Sequence, residues 1–170
     1  MRQADEPEIS VDVTVLTEPA PLWALVTDIE LPARFSGELQ GAHWLDDVDG
    51  PALGARFVGR NRRLFGTEPV EWETTSTVTA LEPQRRFEWS VGDVDQPIAR
   101  WRFDLEPRGA GATQLTMWAK VGTATSGLTM AVEARPDREE GIVAARLEEW
   151  RANMAATLDG IKALAEQPRR

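Results

Sequence analysis

One side chain in this sequence has an unperturbed pKa near neutrality, His43, and any general base would have to be that residue. An ordinary strand histidine is the competing reading, and parity does not fix the side of the sheet on which it lies. The other groups able to act on a guest are uncharged. Asn61, Thr74 and Ser76 alternate in phase with apolar residues on two neighbouring predicted strands, so their amide and hydroxyl groups face the same interior. A buried amide or hydroxyl without a partner costs about 1–3 kcal/mol, so each must meet a protein group, a water or a bound molecule. No firm catalytic set emerges; if the protein is an enzyme, Asn61 and His43 are its candidates.

Composition removes most other chemistry. There is no Cys and no Tyr, which excludes disulfides, thiolate nucleophiles and phenolic acids, and a single His makes a His-based zinc site untenable. Phosphate-binding glycine loops, dinucleotide fingerprints, zincin helices and nucleophile elbows are missing too, so no cofactor and no metal is expected. A net charge of −9 gives no attraction to nucleic acid or anionic membranes. The start MRQADEPEIS has neither a basic cluster nor an apolar run, so no membrane insertion and a cytoplasmic location are expected.

The elements that position these groups can be read from periodicity. Ile9, Val11, Val13 and Val15 alternate with polar residues in a first strand, and Pro19 to Asp28 forms a short helix followed by a second short turn over 33–39. Six antiparallel strands follow near 39–46, 54–64, 69–81, 85–92, 97–106 and 112–122, separated by Gly, Pro and Asp turns. Their inner face carries Phe57, Trp72, Phe87, Trp89, Trp101, Phe103 and Met117, with Val78 and Ala80 continuing the parity of Trp72. The opposite face is ionic, and Trp118 on it offers a homodimer contact. A short helix around 127–133 leads to the last segment, from about Pro136 to Gln167. There Val143, Leu147, Trp150, Met154, Leu158, Ile161 and Ala165 make one apolar seam about 45 Å long. Asp137 and Glu140 are spaced as a capping box at its start, and Gly160 is a weak point within it.

A sheet with one oily face and one long amphipathic helix is satisfied by wrapping the sheet around the helix. The expected architecture is a single α+β domain over 1–170, with 1–7 and 168–170 flexible. Seven antiparallel strands curve around the C-terminal helix, and two short helices stand between strands one and two. The aromatic inner face is then either a plain core or the wall of a ligand site.

Leu22-Trp-Ala-Leu-Val-Thr-Asp28, Gly54-Ala-Arg-Phe-Val-Gly-Arg60, Val78-Thr-Ala-Leu-Glu-Pro-Gln-Arg-Arg-Phe-Glu-Trp89, Trp101-Arg-Phe-Asp-Leu-Glu-Pro107 and Asn153-Met-Ala-Ala-Thr-Leu-Asp-Gly-Ile-Lys162 carry a resemblance. Together they resemble the START-like or SRPBCC superfamily, whose architecture is called the helix-grip fold, and most closely its bacterial polyketide cyclase/dehydrase-like members. The resemblance implies a cavity between sheet and helix. It implies binding of a hydrophobic or aromatic molecule, lipid or polyketide-like, by the inner aromatic set with Asn61, Thr74, Ser76, Trp150 and Met154. Cyclase or dehydratase activity on an aromatic polyketide, and sequestration or sacrificial self-resistance in a natural-product pathway such as that of an enediyne, are the alternatives it implies. A structural or regulatory interaction module is the reading if the cavity is filled by its own side chains.

Overall fold

The alternating segments pair into one sheet because each has an apolar face that water excludes and polar ends that turn. A computed structural model describes residues 5–168; the outer parts of the two stretches expected to be flexible, 1–4 and 169–170, lie outside the described residues. Strand β1 (Glu8–Val15) is followed by helix α1 (Pro19–Val26) and a 3-10 turn (Leu31–Arg34). The six further strands are β2 (Leu39–Trp44), β3 (Arg56–Phe65), β4 (Glu68–Glu82), β5 (Arg86–Gly92), β6 (Pro97–Pro107) and β7 (Thr113–Val121). Helix α2 (Gly127–Ala134), a 3-10 turn (Pro136–Arg138) and helix α3 (Glu139–Ala165) complete the chain. The strands are antiparallel neighbours in the order β1-β7-β6-β5-β4-β3-β2, and α3 lies on their inner face. This is the α+β helix-grip architecture. Among the described residues no helix is long and apolar enough to cross a membrane.

Two register shifts change which side chains face inward. Between Val78 and Ala80 the β4–β5 ladder slips, so that Leu81 pairs with Phe87 and Ala80 with Glu88. The expected place of Ala80 on the inner face therefore passes to Leu81, which packs against the core. A second shift between Leu39 and Gly41 pairs Ala42 with Gly59 and Trp44 with Phe57, both inward, and leaves His43 opposite Val58 on the outer side.

The helix ends also differ from the spacing argument. Pro136 starts a separate 3-10 turn, so α3 begins at Glu139 and Asp137 falls outside it; no side chain caps α3. A capping box forms at α2 instead, where Ser126 N donates to Thr129 Oγ1 (2.6 Å) and Thr129 N to Ser126 Oγ (3.3 Å).

The C-terminal half of α3 is core. Leu158 and Ile161 are fully buried together with Val15 and Leu115, and each such side chain contributes about 1.5–3 kcal/mol relative to exposure. At its end, Glu166 accepts from Lys162 Nζ (2.6 Å) and from Leu16 N (2.7 Å), while Lys162 also donates to Thr14 O (2.6 Å). The Lys162 ammonium, then the Leu16 N–H, hold the Glu166 carboxyl below its usual range. The tie is thus present at neutral pH and is lost only as pH falls through that lowered pKa.

Gly160 is a requirement of packing. A Cβ there would lie 2.3–2.5 Å from three atoms of the Phe35 ring. In an open helix Gly→Ala gains about 0.5–1 kcal/mol. Here Gly160→Ala is expected to lower the melting temperature, and Phe35→Leu in the same chain to recover part of the loss, as followed by circular dichroism.

Candidate functional site

Between the sheet and the middle of α3, from Trp150 to Thr157, lies a cavity of about 170 Å³. Its walls are rings from alternate positions of β3, β5 and β6 on the inner face, with β4 between the first two carrying the smaller Thr74 and Ser76. Phe57 and Trp89 have centroids 6.1 Å apart, Trp89 and Phe103 5.9 Å, and Trp101 reaches Trp150 of α3 at 4.7 Å. Phe87 on the sheet and Met117 opposite Met154 of α3 complete the apolar lining. A dry apolar cavity of about 150 Å³ accommodates one benzene ring, so this space suits a molecule of one or two rings, with the methionines adapting to its outline.

Polar atoms interrupt the wall on β3 and β4. Ser76 is 2% exposed, and neither its hydroxyl nor that of Thr74 has a hydrogen-bond partner among the described residues. Asn61 has only a long contact from Nδ2 to Gly59 O, 3.5 Å. Thr157, by contrast, returns its hydroxyl to Asn153 O (2.8 Å), and Asn153 Oδ1 accepts from Gly37 N (2.9 Å).

The fourth wall is the segment from Pro32 to Leu39, clipped to α3 by charge. Arg146 donates to both oxygens of Glu38 (2.6 and 2.8 Å) and to Glu149 (2.7 Å), and Arg63 of β3 reaches Glu149 from the other side (2.7 Å). Arg146 and Glu38 are 13% and 17% exposed. Burial works against the Arg146 charge, yet its two carboxylate partners outweigh it and raise the guanidinium pKa above its ordinary value.

All the side chains expected to line the cavity do so except Trp72. It has the inward parity, pairing with Asn61, but lies where the β3–β4 hairpin runs past the cavity into exposed residues. His43 is exposed and does not line the cavity; it borders an open surface depression with Glu30 and Asp49, which settles the side of the sheet that parity left open and separates this conditional candidate from Asn61. The titratable groups on the lining are Asp28, exposed and accepting from Glu30 N (3.0 Å), and the ion-paired Glu38. Periodicity missed Glu38, Asn153 and Thr157; a polar residue in phase with the α3 seam was the available signal for the last. Trp118 is on the outer face, its ring covered by the Arg102 guanidinium at 4.2 Å.

Against known proteins, the family described as "Polyketide cyclase / dehydrase and lipid transport" matches residues 6–166. The chain belongs to this family. Similar solved structures include the Polyketide_cyc-like protein Cgl2372 from Corynebacterium glutamicum (28% identity, 95% of this chain and 92% of that one, TM-score 0.63). The Zhui aromatase/cyclase from Streptomyces sp. R1128 is 20% identical over 95% and 94% of the two chains, TM-score 0.64. Ginseng major latex-like protein 151 from Panax ginseng is 6% identical over 95% and 99%, TM-score 0.62. The last two show the shared fold alone. No curated protein matches the chain. Membership of this polyketide cyclase and lipid-transport family supports a hydrophobic ligand-binding or cyclase role.

Breaking the clip should be costly from either side, because the partner charge stays buried. Arg146→Met is expected to destabilise by roughly 2–4 kcal/mol in urea unfolding, and the double variant Arg146→Met/Glu38→Met by less than the single one.

Proposed function

We propose that the protein binds a small aromatic or polycyclic molecule in the cavity between the sheet and α3. The observation that supports this most directly is the combination of aromatic walls with two unpaired hydroxyls and an amide held by one long hydrogen bond, in a space large enough for a ring. A purely structural core would have filled the volume or paired the polar atoms.

Aromatic polyketide cyclisation is the second reading, favoured by the family's description and compatible with the fold shared with an aromatase/cyclase. In that case the cavity would hold a flexible poly-ketone in a reactive conformation, with Asn61 orienting a carbonyl. The aromatic character of the lining supports binding as the first reading.

Naphthalene is a suitable probe. It is expected to raise the melting temperature of the protein and to give saturable heat in titration calorimetry; at 100 times Kd the stabilisation is about 2.7 kcal/mol. Ala42→Phe, which projects a ring into the same space, should abolish both responses while the protein remains folded. Failure of naphthalene and of its hydroxylated and carboxylated analogues to bind the wild-type protein would refute the reading.

A further inference from the structure

The unpaired polar atoms are not scattered. In the β3–β4 ladder Phe57 pairs with Ser76, Gly59 with Thr74 and Asn61 with Trp72, so Asn61, Thr74 and Ser76 follow one another along a single strip of the inner face. Gly59 lies at the centre of it. A Cβ on Gly59 would sit 3.4 Å from Thr74 Oγ1, 3.4 Å from Leu39 Cδ1 and 4.0 Å from Asn61 Nδ2, so the missing side chain opens a notch ringed by those groups. No side-chain polar atom among the described residues is both sealed from all free space and unpaired. Ser76 is 2% exposed and unpaired, so the little surface its hydroxyl keeps must open on the cavity it lines.

We infer that this notch is a head-group subsite, and that it selects an uncharged guest bearing a hydroxyl or carbonyl over both the matching hydrocarbon and the matching anion. The inference rests on the cavity being a binding site. A guest hydroxyl or carbonyl oxygen can accept from Asn61 Nδ2, the amide atom beside the notch, and from Thr74 or Ser76, each of which carries one rotatable O–H. The rings then lie against Phe57, Trp89 and Trp101. An anion finds no such welcome. The lining carries the carboxylates Asp28 and Glu38 and no Lys or Arg, and Arg146, the partner of Glu38, is also held by Glu149. A guest carboxylate would shed its water without gaining a free positive partner.

The test is calorimetric titration of the full chain with naphthalene, 2-naphthol and 2-naphthoate at pH 7, where the second is neutral and the third ionised. 2-Naphthol is expected to bind about three- to tenfold more tightly than naphthalene, and 2-naphthoate more weakly than either. Ser76→Ala and Thr74→Val should each narrow the ratio between the 2-naphthol and naphthalene affinities toward one. Ser76→Ala supplies a readout that a structural hydroxyl would not: deleting an unpaired group should leave the melting temperature of the free protein unchanged or higher. If Thr74→Val does not fold, Ser76→Ala decides alone. Equal affinities for naphthalene and 2-naphthol would overturn the subsite and leave the binding reading standing. Preference for 2-naphthoate would overturn it in favour of an anion site. Failure of all three probes to bind the folded protein would remove both.

Discussion

Everything in this molecule follows from a mismatch of areas. Seven strands present one apolar face, and a single helix about 40 Å long must cover it. The sheet curls to narrow the gap, and where curling suffices Leu158 and Ile161 close against β1 and β7 as ordinary core. Where it does not suffice, a void remains, and rings line it because flat side chains cover wide areas with few atoms. The cavity is therefore the residue of an incomplete fit, kept open by choice of side chain. Gly59 and Ala42 stand on its walls where larger residues would close it.

A void beside a helix is stable only if its boundary is stiff. On one side the sheet ladder supplies that stiffness. On the other, the segment before β2 has little regular structure of its own and depends on contacts to α3: the Glu38–Arg146 ion pair, the Gly37–Asn153 hydrogen bond and Phe35 against the bare backbone of Gly160. The charged pair is more costly to half-remove than it is valuable to have. Such a tie specifies one arrangement of the wall more than it adds to total stability.

How much of this was legible beforehand depends on the range over which each feature is encoded. Alternation is local, so the strands, their inner rings and the α3 seam could be read directly, and strand limits agree to about two residues. Bulges are not local. The slips at Leu39/Gly41 and Val78/Ala80 arise from pairing with another strand, and they moved His43 outward and exchanged Ala80 for Leu81. Trp72 shows a different limit: parity reports which face a residue is on, never how far along the strand the cavity extends. Asp137 and Glu140 had the right spacing for a cap, yet Pro136 claimed the preceding turn. The Glu38–Arg146 pair joins residues 108 positions apart and left no mark in either neighbourhood.

The three ties between α3 and the segment before β2 fall at Arg146, Asn153 and Gly160, seven residues apart each time. Two turns of helix nearly restore the same azimuth, so the ties form one straight stripe, distinct from the seam that faces the sheet. The helix is thereby indexed twice, once by the oily seam and once by this polar and bare-backbone stripe. One inserted residue between Arg146 and Gly160 would turn everything beyond it by about 100° and put both indices out of phase. A seven-residue insertion would keep the phase but shift the stripe along its axis by about 10 Å, beyond the reach of the short segment it grips. The length of α3 between those residues is thus as constrained as their identity.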